Sequence, residues 1–160
     1  WNFSHGKSPN IVIAPGAGFP EKSWGDNYFA QLTKLILDKT NSSICIIGSS
    51  EDEKKINISH NRLRNLCGRL ELRESAALVS KSDLLISNSS LAMHLAGAFQ
   101  IPSITTLGHC YDSALLHHKQ WGYPENIILG KEVDNKIEHI AKVEQVYEKF
   151  KTILFSKRAN

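Results

Sequence analysis

The chain is expected to fold as an α/β protein, a Rossmann-like, doubly wound parallel sheet in one domain. Short apolar runs recur along it, longer amphipathic stretches separate them, and Gly, Ser, Asn or Pro clusters follow the runs. In such sheets ligands bind beyond the C-terminal strand ends. The loops after Ile13, Ile47, Ile86 and Thr106 are therefore expected to line one rim.

The elements follow in order. WNFSHGKSPN is polar and turn-rich and starts with Trp rather than Met, so residues 1–9 are expected to be a linker within a longer protein, with the domain over 10–160. Ile11 to Pro15 (IVIAP) predicts a buried strand, and PGAGFPEKSWGD a Gly- and Pro-punctuated loop. From about Asn27 to Lys39, Phe29, Leu32, Leu35 and Ile36 recur at helical spacing, and Asn41, Ser42 and Ser43 end that segment. Ile44 to Gly48 predicts a second strand, Glu51 to Ser59 a helix, RNLCG a short third strand or extended turn, and Leu72 to Ser82 an amphipathic helix.

Asp83 to Ser87 (DLLIS) is an apolar strand opening onto Asn88, Ser89 and Ser90, and LAMHLAGAF after it has helical composition. Pro102 to Gly108 predicts a further strand, HCYDSALLHHKQWGYPE an irregular aromatic and histidine-bearing loop, and Asn126 to Gly130 the last strand. Val143, Val146, Tyr147, Phe150, Ile153 and Leu154 draw one face of a terminal helix.

Composition bounds the function. Hydrophobic residues make up 41%, enough for one core, and no run of about 18 apolar residues or export signal appears. Nineteen Lys and Arg stand against 16 Asp and Glu, spread along the chain, so the net charge of +3 gives no reason to expect nucleic acid as a partner. Cys45, Cys67 and Cys110 have no metal-type spacing, and an odd number of cysteines points to a reduced, cytoplasmic setting.

Three loops carry the chemistry. Gly16 and Gly18 permit close approach of backbone to a ligand and Lys22 adds a mobile cation, a pairing that suits phosphate and equally suits a flexible turn with a solvated lysine. The loop is neither a Walker A motif nor a complete GxGxxG, since Glu21 stands at the third glycine. Glu51, Asp52 and Glu53 follow the second strand, where a carboxylate can bind ribose hydroxyls or simply complement a helix dipole. Ser89 and Ser90 precede a helix whose first N–H groups favour an anion, and the same residues also make an ordinary cap. His94 lies on that helix among apolar neighbours and is expected to be structural on the ligand side. His109, Asp112, His117 and His118 show no firm metal spacing, so no metal or cofactor is expected.

Together these stretches resemble the C-terminal, donor-binding domain of the bacterial heptosyltransferases, glycosyltransferases of the two-Rossmann-domain B fold (GT-B). PGAGFPEKSW fits that family's PGxxxxxKxW loop through Gly16, Lys22 and Trp24, and Gly48 with Glu51 and Asp52 fits a Gly followed by acids. Asn65 to Asn88 fits NLxGxxxLxExAxLxxxxDLxIxN. His94, Leu95 and Ala96 fit His-Leu-Ala, and Ile101, Pro102 and Gly108 fit IPxxxxxG. The family's Asp-Ser-Gly or Asp-Thr-Gly triplet falls on Ser89, Ser90 and Leu91, and hydroxyl positions of its first loop fall on Ala17 and Gly18.

The resemblance implies a glycosyltransferase, moving heptose from a nucleotide-sugar, typically ADP-heptose, to a lipid-linked lipopolysaccharide-type acceptor by inverting, metal-independent displacement. It implies that Gly16, Ala17, Gly18, Ser89, Ser90, Leu91 and His94 border the donor, that Lys22 neutralises the leaving phosphate, and that Glu51 or Asp52 binds ribose. It places the general base and acceptor in an N-terminal domain outside this chain, so the isolated domain is expected to be inactive. The expected location is the cytoplasm, at the inner membrane's cytoplasmic face. The alternative is a non-catalytic nucleotide-sugar-binding module or a degenerate glycosyltransferase.

Overall fold

The structure is a computed structural model describing residues 8–132 and 137–156. Residues 1–7 of the expected linker lie outside the described residues. Six strands, β1 (Asn10–Ala14), β2 (Ser43–Ile46), β3 (Leu63–Asn65), β4 (Leu84–Asn88), β5 (Ser103–Thr106) and β6 (Asn126–Leu129), form one sheet in the order β3-β2-β1-β4-β5-β6. Every pairing is parallel, with Val12 opposite both Cys45 and Leu85 in register. The order reverses direction between β1 and β4, which opens a crevice at their C-terminal ends.

Side-chain alternation along the strands divides the core in two. Ile11, Ile13, Ile44, Ile46, Leu84 and Ile86 face α1 (Asp26–Lys39) and α5 (Val143–Ser156), and meet Phe29, Leu32, Ile36, Val146 and Phe150. Val12, Ala14, Cys45, Ile47 and Leu85 face α2 (Leu72–Ser80) and α3 (Leu91–Ala98), meeting Leu78, Val79, Ala92 and Ala96. Burial drives the Cys45 thiol up to about 11 and, with help from Asp52 and Glu53, the Cys67 thiol up to about 12. Both thiols therefore stay protonated and pack as small apolar groups.

Three expectations are corrected. The segment after β2 is a 3-10 helix, Ser50–Lys54, rather than an α-helix reaching Ser59. The Asn65 side-chain amide donates to the carbonyls of Glu53 (2.9 Å) and Ile56 (3.5 Å), taking the Glu53 acceptor that a continuing α-helix would use. The third strand starts one residue earlier than RNLCG, at Leu63, and ends at Asn65, although Leu66 and Gly68 still donate to Ile46 and Gly48.

The loop between β5 and β6 also contains a helix, α4 (Ala114–Trp121). Ser113 caps it by accepting from the Leu116 N–H, while the Glu132 carboxylate accepts from the Leu115 N–H and the Ser113 hydroxyl. Among the described residues no helix is long and apolar enough to cross a membrane.

Candidate functional site

The turn after β1 and the turn after β4 are tied together by a residue at the end of β4. Asn88 is fully buried; its amide donates to the carbonyls of Pro15 (2.8 Å) and Gly16 (3.3 Å), and its oxygen accepts from the Trp24 N–H (2.8 Å). One side chain thus satisfies buried backbone groups at both ends of the loop that carries Lys22. Trp24 fixes that loop's far end: its indole donates to the Ala141 carbonyl (2.6 Å), and its ring meets Phe29 edge-on at 5.0 Å. Gly108, just beyond β5, completes the support. A Cβ there would lie 2.4 Å from the Glu21 carbonyl oxygen and 2.5 Å from that of Ser23, so only a bare backbone lets the Lys22 turn pack so closely.

An open pocket of about 300 Å³ lies at the C-terminal ends of β1, β2 and β4. Gly16, Ala17 and Gly18 form one side and Ser90, Leu91 and Ala92 the start of α3 on another, with Ile47, Leu72 and Leu95 adding apolar wall. Asp52 supplies its carboxylate. Of the acids after β2, Asp52 turns inward because Ser49 draws it back: its Oδ2 accepts from the Ser49 N–H (2.8 Å) and hydroxyl (2.9 Å). Lys55 pairs with Oδ1 at 3.0 Å. Burial alone would raise this carboxyl, yet the Lys55 and Ser49 hydrogen bonds and the lysine's charge hold it below its ordinary value. A Cβ on Gly16 would stand 2.7 Å from that carboxylate and one on Gly48 2.6 Å, which ties both glycines to its position.

Glu51 does not enter this pocket; it borders a separate polar depression beside Ala17, Gly18, Asp26 and Lys55. Lys22, Ser89 and His94 also lie outside the pocket lining, on the side of β4 that faces β5 and α4. Lys22 ends a short 3-10 turn, Pro20–Lys22, with its ammonium 5.4 Å from the Phe19 ring centre. Ser89 Oγ and His117 Nε2 share a 2.9 Å hydrogen bond, and His94 Nδ1 and the Tyr123 hydroxyl share one of 2.8 Å. The His94 ring also meets Trp121 edge-on at 6.3 Å, so His94 clamps the end of α4 onto α3. Leu91 adopts no positive φ, so a bulky residue there costs the backbone nothing.

Asn88 and His117 are the residues that sequence reasoning did not assign to the site. The strand-end position of Asn88 was a readable signal. His117 had none, because the helix that carries it leaves Leu115 and Leu116 exposed and has no apolar stripe. Among the described residues no group of three or more His, Cys, Asp or Glu is arranged to hold a metal ion.

A parallel sheet of this strand order, with a glycine-edged pocket at its crossover, is a Rossmann-like fold that matches the B fold of the heptosyltransferases. The chain belongs to glycosyltransferase family 9 (heptosyltransferase), whose sequence profile matches residues 2–136. Lipooligosaccharide heptosyltransferase 2 of Haemophilus ducreyi is 30% identical over 103 residues, 59% of this chain and 29% of that protein. Lipopolysaccharide heptosyltransferase 2 of Escherichia coli is 29% identical over 109 residues, 62% of this chain and 31% of that protein.

Among solved structures, E. coli ADP-heptose lps heptosyltransferase II superposes with a TM-score of 0.77 at 21% identity, over 95% of this chain and 48% of that one. E. coli heptosyltransferase WaaC with ADP-2-deoxy-2-fluoro heptose gives a TM-score of 0.71 at 14% identity, over 91% and 43%. The chain therefore spans about a third of the curated relatives and about half of the solved ones.

Proposed function

We propose that this domain binds a nucleotide-sugar donor, ADP-heptose above all, for transfer of the sugar to a lipopolysaccharide-type, lipid-linked acceptor. The observation that carries this reading is one crevice lined by the bare Gly16–Gly18 backbone, Asp52 and the start of α3, with the loop that carries Lys22 tied by Asn88 to the same end of β4. The apolar wall of Leu72, Leu91 and Leu95 suits a nucleobase, and Asp52 keeps one carboxylate edge on the pocket for ribose hydroxyls. Asp52 is preferred to Glu51 for that role because it alone of the two lines this pocket. The diphosphate then crosses the end of β4 toward Lys22, where the first N–H groups of α3 and the ammonium offset its charge.

In the reaction the acceptor hydroxyl attacks the anomeric carbon, the bond to the diphosphate breaks, and configuration inverts. Lys22 stabilises the charge that grows on the departing phosphate, a role that needs no metal. The base that takes the hydroxyl proton, and the acceptor site, belong to the portion of the relatives that this chain does not span. The isolated domain therefore turns over no donor. The names of the relatives, lipooligosaccharide and lipopolysaccharide heptosyltransferase 2, support a role in lipopolysaccharide assembly and, with it, a cytoplasmic location against the inner membrane. A second reading, a non-catalytic donor-binding module, is favoured by Ser89, which stands where the family carries a carboxylate. Acceptor-dependent release of nucleotide by the full-length protein would exclude it.

The binding claim is tested by thermal unfolding with ADP, UDP, GDP and their sugars. At about 100-fold Kd a ligand adds about 2.7 kcal/mol, or roughly 5–11 °C for a domain of this size. Lys22→Ala is expected to abolish most of that shift. If none of these nucleotides raises the midpoint, or the shift survives Lys22→Ala unchanged, the proposed site is wrong.

A further inference from the structure

His117 sits on α4 with its Nε2 hydrogen-bonded to Ser89 Oγ at 2.9 Å, one residue before Ser90 and Leu91 enter the pocket wall. Tyr111 closes one side of the imidazole, its ring edge-on at 4.7 Å. The charges that bear on the half-buried ring come from three elements: Lys22 from the turn after β1, His94 from α3 and His118 from α4 itself. Every one of them is positive or becomes so on protonation. A hydroxyl and an imidazole are thus gathered with a lysine at the point where the β4 turn meets the Lys22 turn.

We propose that the Ser89–His117 pair is a phosphate-binding unit of the donor site, its hydroxyl aimed by His117 and acting with Lys22 on the same diphosphate. This rests on the donor reading above and adds to it a residue from α4 and a proton. Burial, then the charges of His94, Lys22 and His118, hold the free imidazole below its ordinary value, so without ligand it is neutral near pH 7. A diphosphate reverses the local balance. The ring takes up one proton from solvent, both its nitrogens become donors, and Nε2–H donates to Ser89 Oγ, freeing the serine hydroxyl to donate to a phosphate oxygen.

The sign of the linkage follows from this. The free-state pKa is depressed and the bound-state pKa is higher, so affinity is greatest below the former, falls as pH rises between the two, and levels off above the latter. Each unit separating them is worth about tenfold in affinity. The hydroxyl–imidazole pair thus gives this chain an anion contact that strengthens as pH falls.

Calorimetric titration of the chain with ADP-heptose, UDP-glucose and GDP-mannose tests this, because a sugar diphosphate diester carries no titrating proton near neutrality. The tightest of the three is measured at pH 6, 7 and 8 in two buffers of different ionisation enthalpy. The expected result is proton uptake on binding to the wild-type chain and about a tenfold or greater loss of affinity from pH 6 to pH 8. His117→Gln, checked for an unchanged fold by circular dichroism, is expected to remove the uptake and flatten the pH dependence. Lys22→Ala weakens binding at every pH and, with one of the charges that depress the free imidazole gone, keeps the proton uptake at a shallower slope.

Binding without proton uptake by the wild-type chain, or uptake that persists in His117→Gln, overturns the inference and leaves the donor site standing. Loss of the uptake in His94→Gln with His117 intact assigns the proton elsewhere and overturns it as well. Absence of binding by all three sugars overturns both the donor site and this extension of it.

Discussion

Asn88→Ala removes the side chain that joins the β1 and β4 turns, and its cost can be worked from the bonds it breaks. The truncation leaves the Trp24 N–H and the Pro15 carbonyl without their partner in a buried setting, and loses the longer bond to Gly16 as well. Each orphaned buried group costs about 1–3 kcal/mol, so the loss is about 2–6 kcal/mol. For a domain of this size that lowers the midpoint of thermal unfolding by about 4–24 °C. Urea unfolding followed by tryptophan fluorescence reads the change directly, with the slope unaltered if only the native state is affected. Asn88→Asp keeps the acceptor for Trp24 but turns a carboxylate toward two carbonyls, and is expected to be no better. A loss below about 1 kcal/mol in Asn88→Ala, with nucleotide affinity intact, would refute the reasoning that this residue holds the Lys22 loop.

Two further outcomes follow from the geometry. Gly108→Ala places its Cβ against the rigid backbone of Glu21 and Ser23, whereas Gly18→Ala meets nothing within 4 Å. The first is expected to lose about 1–3 kcal/mol and weaken nucleotide binding, the second to stay within about 0.5 kcal/mol of wild type; equal effects in thermal unfolding would contradict this. Asp52→Asn removes a carboxylate held below its ordinary 3.8. Its contribution is complete above that value and is lost as pH falls through the lower folded-state pKa, so the variant is expected to be about 1.5–3 kcal/mol less stable at pH 7 and to converge on wild type in strong acid. A constant difference across an acid titration would show that the charge is not responsible.

The sheet was legible because its central strands are buried on both faces and read as apolar runs: IVIAP, ICIIG and DLLIS each agree with the observed strands to within two residues at either end. Helices with a core-facing stripe were legible for the corresponding reason, and Val146, Phe150 and Leu154 of α5 are buried. Where long-range polar contacts decide the structure, the local pattern misleads. Glu132 caps α4 from beyond β6, and Asn65 ends the Ser50–Lys54 turn from the third strand.

The candidate site divides along the same line. Gly16, Ala17, Gly18, Ser90 and Leu91 follow strand ends and fall in one pocket because the topology puts strand ends together. Which acid turns inward depended on one serine, Ser49, and no periodicity encodes that. The pairing of Ser89 with His117 joins turns that only the folded sheet brings together.

The central claim is that the β1 and β4 turns of this chain together hold a nucleotide-sugar, and amide chemical-shift mapping of the labelled chain during titration with ADP-heptose tests it most directly. The account predicts that the largest saturable shifts fall on Gly16, Ala17, Gly18, Ser90, Leu91 and Ala92, with Lys22 following. Shifts that cluster instead on the outer face of α5, or no saturable shift at millimolar ligand, would contradict it.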